Sequence, residues 1–99
     1  MNRSIDMMRE VLIAKIEGKN IISSVLVDAH IRLLQDSGYL NNSKLVTIKG
    51  YEFYELVKNE NEYTEAKRYC EMAKCFNIGM LRLTIKHLRK KQQTEVNNG

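Results

Sequence analysis

Ninety-nine residues, 43% of them hydrophobic and 28% charged, predict one soluble globular domain with a small core. No run of about 18 apolar residues occurs, so no membrane-spanning helix is expected, and the start MNRSIDMMRE lacks the apolar stretch of a signal peptide. The formal net charge of +4 is uneven: residues 1–65 hold 8 Lys/Arg against 10 Asp/Glu, and residues 66–99 hold 8 against 2.

A basic C-terminal third suits attraction to nucleic acid or to an acidic protein surface, and it also suits a plain solvated helix face. The absence of proline and the presence of only five glycines favour helix. The spacing of Ile5, Met8, Leu12 and Ile16 predicts a first helix over about residues 4–17, capped by Ser4 and stopped by Gly18. Arg9, Glu10 and Lys15 fall between those positions and read as polar. The KNII segment, residues 19–22, reads as a connector or a short strand.

A second helix is predicted from a Ser23 or Ser24 cap to about Ser37, with Val27, His30, Ile31 and Leu34 inward and Gly38 as a left-handed stop. His30, on that apolar face, reads as a packed histidine with one nitrogen satisfied. Tyr39-Leu40-Asn41 and Lys44-Leu45-Val46 flank a polar turn at Asn42-Ser43, which predicts a short β-hairpin.

Thr47 caps a third predicted helix, to about Asn59, with Gly50, Phe53, Tyr54 and Val57 on one face. Gly50 costs helix propensity, which implies a close helix–strand approach. A fourth helix over about residues 62–75 puts Tyr63, Ala66, Cys70 and Ala73 on one side. Asn77 caps a fifth, over about residues 78–92, with Ile78, Leu81, Ile85 and Leu88 as its stripe. Cys70 and Cys75 point to different sides of one helix and no second pair accompanies them, which predicts free thiols in a reducing cytoplasm.

Residues 23–50, a helix with a glycine stop, a short hairpin and the first turn of a further helix, read as the second half of a winged helix-turn-helix. The expected fold is therefore mainly α with a small β-hairpin. It comprises a winged-helix-like core over residues 1–60, a C-terminal helical extension over 61–93 packed on the same domain, and a flexible tail at 94–99. One departure stands out. A supporting helix normally lies between the first helix and the recognition helix, and about five residues are too few for one.

The segments NRSIDMMREVL, HIRLLQDSGYL and VTIKGYEFYELV, the last followed by a short acidic break, resemble a family of small uncharacterised phage and prophage proteins. That family is described as a domain of unknown function with a winged-helix-like fold. The resemblance covers about residues 2–66; Tyr63 stands where the family often has tryptophan, and much of the segment before the HIRLL helix is missing. The resemblance implies a phage or mobile-element origin, hence the cytoplasm of a bacterial host cell, and a winged-helix scaffold. It implies no activity.

Nothing in the chain points to an enzyme or a cofactor. It has no phosphate-binding glycine loop, no nucleophile elbow, no HExxH and no paired CxxC. Two readings stay open. In the first, the chain is a regulator that binds double-stranded DNA, with Arg32, Lys44 and Lys49 as contacts and Lys86, Arg89 and Lys90 assisting. In the second, which the resemblance to small phage proteins implies, it binds or inhibits a host protein, such as a defence factor, through Asp28, Arg32, Asp36 and Tyr51. The outward face of the second helix (Val25, Asp28, Ala29, Arg32 and Asp36) weighs against the first reading, because its single cation is spaced to pair with both acids. A homodimer through the last two helices is a further expectation.

Overall fold

The structure is a computed structural model that describes the backbone of residues 2–98 and the side chains of residues 5–91. Five helices follow one another: α1 (Asn2–Glu17), α2 (Val25–Asp36), α3 (Ile48–Val57), α4 (Glu60–Met72) and α5 (Ile78–Asn98). The chain is mainly helical, and it divides into two compact units. One spans Asn2–Lys58 and contains α1, α2 and α3; the other begins at Asn59 and contains α4 and α5.

In the first unit α1 packs against both α2 and α3. Its buried stripe is Ile5, Met8, Val11, Leu12 and Ala14, with Ile16 only half-buried. The helix starts at Asn2, so Ser4 lies inside it rather than at its cap. Gly18 takes the left-handed conformation expected of a stop, with φ +72°.

Arg9 does not sit on the polar face. It is buried, and its Nε donates to the Val57 carbonyl at 2.7 Å, with Nη2 3.5 Å from the Lys58 carbonyl. Those carbonyls end α3 and have no helical partner, so the guanidinium supplies both the missing donor and a cation at the negative end of the helix dipole.

Ser24, not Ser23, caps α2, its Oγ accepting from Val27 N–H at 3.2 Å. The helix ends on Gly38, at φ +83°. Gly38 N–H donates to the Gln35 carbonyl at 3.0 Å and Tyr39 N–H to the Leu34 carbonyl at 2.9 Å, the paired bonds of a Schellman ending. The KNII segment forms no strand.

Where a hairpin was expected, the described residues hold one isolated antiparallel bridge, between Leu40 and Val46. The Asn41 side chain explains the shortening. Its Oδ1 accepts from Ser43 N–H at 2.9 Å and from Leu45 N–H at 3.0 Å, and the Leu45 donor is one that a longer ladder would use.

Thr47 caps α3 by accepting from Gly50 N–H at 3.0 Å, and its hydroxyl donates to the Gly38 carbonyl at 2.6 Å. A Cβ on Gly50 would overlap the Tyr39 carbonyl oxygen and stand 2.9 Å from Val46 Cγ1, so the first turn of α3 can approach the chain at Tyr39 only as glycine. The buried face of α3 is Gly50, Phe53, Leu56 and Val57; Tyr54, expected among them, is half-exposed. Phe53 stacks on Tyr39 with centroids 4.7 Å apart.

The helix break falls earlier than expected. Lys58 ends α3, and Asn59 caps α4 by accepting from Glu62 N–H at 2.9 Å. The far end of α4 also comes early. Lys74, at φ +55°, plays the left-handed role usually given to glycine, which leaves Ala73 exposed instead of on the buried side. Tyr63, Ala66 and Cys70 are buried there, as are Leu81 and Ile85 on α5, where Asn77 Oδ1 accepts from Met80 N–H at 2.8 Å.

α4 and α5 pack antiparallel: Cys70 Sγ meets Thr84 Oγ1 at 3.6 Å, and Glu62 meets Arg89. The stripe proposed for a homodimer is thus largely spent inside the chain. Cys70 and Cys75 are free thiols. α5 runs past its expected end near residue 92 to Asn98, and the side chains of the expected tail, residues 94–99, lie outside those described. Among the described residues, no helix is long and apolar enough to cross a membrane.

Candidate interaction site

The outward face of α2 is set by what α2 buries. His30 and Leu34 point inward, Val27 and Ile31 are half-buried beside them, and the rest of the helix turns to solvent. His30 Nδ1 donates to the Leu26 carbonyl at 2.7 Å, and its Nε2 is buried with no hydrogen-bond partner among the described residues. This histidine is a packing residue that also ties down one turn of the helix.

Val25, Asp28, Ala29, Arg32 and Asp36 are all exposed, as the periodicity predicts. The structure adds Leu26 and Leu33 to that side. Val25 is 87% exposed, Leu26 55% and Leu33 39%, and Ile22, just before the helix, is 91% exposed. Leu26 and Leu33, seven residues apart, lie two turns from each other on one side of the helix. Their signal was present in the sequence: VLVDAHIRLL carries more apolar residues than one buried stripe can take.

The expected ion pairs do not form. Among the described residues neither Asp28 nor Asp36 bonds to Arg32, although each is four residues from it. Holding two long exposed side chains together in water gains little against their lost rotamer freedom. The face is therefore an apolar strip edged by two acids and one arginine.

The chain matches no protein-family model, and no curated protein and no solved structure matches it.

The other candidate residues divide between the two units. Arg32, Lys44, Lys49 and Tyr51 belong to the first. Lys44 is exposed at the tip of the Asn41–Leu45 turn with φ +64°. Lys49 lies over the Tyr39 ring, its Nζ 5.5 Å from the centroid. Tyr51 is exposed on α3, as is the neighbouring Ile48.

Lys86, Arg89 and Lys90 belong to the second unit. Lys86 and Lys90 are exposed, and Arg89 is engaged with Glu62, Nε at 3.0 and 3.1 Å from the two carboxylate oxygens and Nη2 at 2.7 Å from Oε1. A guanidinium so occupied has little left for a phosphate. Among the described residues, no three His, Cys, Asp or Glu side chains stand close enough to share a metal ion.

Proposed function

We propose that this chain is a non-enzymatic protein-interaction module of phage or mobile-element origin, which engages a host protein through the exposed side of α2. The observation that carries the reading is the exposure of Ile22, Val25, Leu26 and Leu33 on and beside one helix. Apolar side chains presented along a helix at this spacing suit an apolar groove on a protein. They gain nothing from phosphates, and a base-reading helix presents Arg, Lys, Asn, Gln or Ser instead. Asp28 and Asp36 would further oppose an anionic backbone.

In this reading the scaffold is winged-helix-like. α2 takes the place of the recognition helix, supported by its glycine stop, and the Asn41–Leu45 turn takes that of a shortened wing, supported by the Leu40–Val46 bridge. One observation favours duplex DNA as a second reading: Lys44 is exposed at the turn tip, where a wing contacts phosphate.

The test is affinity capture from host lysate with the wild type and with Val25→Ser/Leu26→Ser, alongside duplex retention at low salt. The proposal expects a captured protein that the double variant loses, while both chains keep equal helix content by circular dichroism. Salt-sensitive duplex binding, lost in Lys44→Glu and accompanied by identical capture from both chains, would replace it with the DNA reading.

A further inference from the structure

The α4–α5 pair carries a second surface that the reading of α2 does not use. Along the pair runs an open cleft of about 450 Å³, lined by Tyr69, Leu83, Thr84, His87, Leu88 and Lys91. Its floor is apolar and unspent: Leu83 is 66% exposed and Tyr69 43%. This differs from the buried stripe of Leu81 and Ile85, which lies on another side of the same helix.

The charge around the floor has one dominant sign. Lys86, His87 and Lys90 follow Leu83 by three, four and seven residues, so they surround it on the helix surface, and all are exposed. Lys91 lines the cleft itself, and the Arg68 guanidinium lies 5.7 Å from the Tyr69 ring centroid. Among the described residues, none that lines the cleft is acidic. Glu62 on α4 is held by Arg89, and Glu65, one turn before Tyr69, is exposed.

We propose that this cleft binds an acidic amphipathic helix of a protein partner. Its apolar side chains would seat on Tyr69, Leu83 and Leu88, and its carboxylates would meet Lys86 and Lys91. The shape argues for a helix, because two antiparallel helices leave a groove into which a third packs through anchors spaced three and four residues apart. The floor argues for protein over nucleic acid. Phosphates gain from lysines but nothing from covering Leu83, whereas a leucine stripe gains in proportion to the apolar area it removes from water.

Fluorescence anisotropy on the full chain tests this. The probe is a labelled peptide of about 18 residues with leucines at i, i+3, i+4 and i+7 and glutamates elsewhere, set against a scrambled peptide of equal composition and a DNA duplex. The amphipathic peptide is expected to bind at least about tenfold tighter than the scramble. Leu83→Asp should cost roughly tenfold, as for a buried anchor, and Leu26→Asp in the other unit should cost nothing. Lys86→Glu/Lys91→Glu should weaken binding and flatten its salt dependence without touching the apolar floor.

Equal affinity for both peptides overturns the proposal. So does a duplex that binds where the peptide does not. A concentration-dependent dimer by light scattering, abolished in Leu83→Asp, also overturns it by naming a second copy as the occupant.

Discussion

Arg89 grips Glu62 through its Nε and Nη2 at 2.7–3.1 Å, while Arg32, four residues from an acid on either side, grips nothing among the described residues. Both arginines have acids at suitable sequence or spatial distance; they differ in burial. The Glu62 side chain is only 16% exposed, so leaving it unpaired is costly, and the forked guanidinium fits it with three contacts. A double-mutant cycle of Glu62→Gln and Arg89→Met should show a coupling of about 1 kcal/mol in urea unfolding, given that Arg89 itself is partly exposed. The same cycle on Asp28 and Arg32 should show a coupling within about 0.3 kcal/mol of zero. Equal couplings in the two cycles would refute the contrast.

Gly50 has no room for a methyl group. Its neighbour there is backbone, the Tyr39 carbonyl, which cannot move without breaking the 3.1 Å bond it accepts from Thr47 N–H. Gly50→Ala should therefore destabilise the chain by about 1–3 kcal/mol despite alanine's better helix propensity. Gly79→Ala is the control, since its Cβ would meet only Asn77 Oδ1 at 3.4 Å; its effect should stay within about 0.5 kcal/mol. Thermal unfolding of both variants reads the difference.

Arg9 ends a helix that lies more than forty residues away in sequence. Arg9→Met keeps much of the packing and removes the donors, leaving the Val57 carbonyl buried and unmet. A loss of about 1–3 kcal/mol is expected, with amide exchange quickening first in the last turn of α3. If the loss is small and exchange is unchanged there, solvent already satisfies those carbonyls.

Glu17 and Tyr54 predict a pH dependence with a definite sign. The hydrogen bond from Lys19, and after it the hydrogen bond from the Tyr54 hydroxyl at 2.9 Å, hold the Glu17 carboxyl below its ordinary value of 4.5. The same Glu17 bond, with some desolvation, raises the Tyr54 phenol above 10.0. A lowered carboxyl adds stability that is present above 4.5 and lost as pH falls through the lower folded value; a raised phenol adds stability that is present below 10.0 and lost as pH rises through the higher one. In Tyr54→Phe the Glu17 titration followed by NMR should move up towards the ordinary value yet stay below it, because Lys19 remains. A midpoint unmoved by the substitution would show that the hydroxyl does not bond the carboxylate in solution.

The exposed strip on α2 should be thermodynamically idle in the isolated chain. Val25→Ser and Leu26→Ser should each shift stability by no more than about 0.5 kcal/mol, so that any loss of partner capture reports binding and not unfolding. A loss of several kcal/mol in urea unfolding would mean that these side chains serve the fold.

Local signals were legible without coordinates. Apolar periodicity marked all five helices, because burial repeats with the turn of the helix. Thr47, Asn77 and Gly38 marked ends, because a cap is satisfied by side-chain or backbone geometry within a few residues. Asn59, Lys74 and Arg9 were not legible, and each fails for its own reason. Asn59 reads in sequence as the end of the third helix, although its carboxamide is a competent cap for the next one. Lys74 adopts a conformation that only its surroundings impose. Arg9 has a partner so far along the chain that no window of sequence contains both.

The candidate sites divide in the same way. The sequence by itself determined a mainly helical chain, the places where most helices start and stop, and the poverty of cations on the outward side of α2. Only the tertiary structure decided which of the surplus apolar residues stay uncovered. A helix with more apolar positions than one buried stripe needs can turn either set inward, and the choice rests on the neighbours it packs against. That choice left Leu26 and Leu33 on α2, and Leu83 on α5, in solvent, and it committed Arg89 to Glu62 rather than to a ligand.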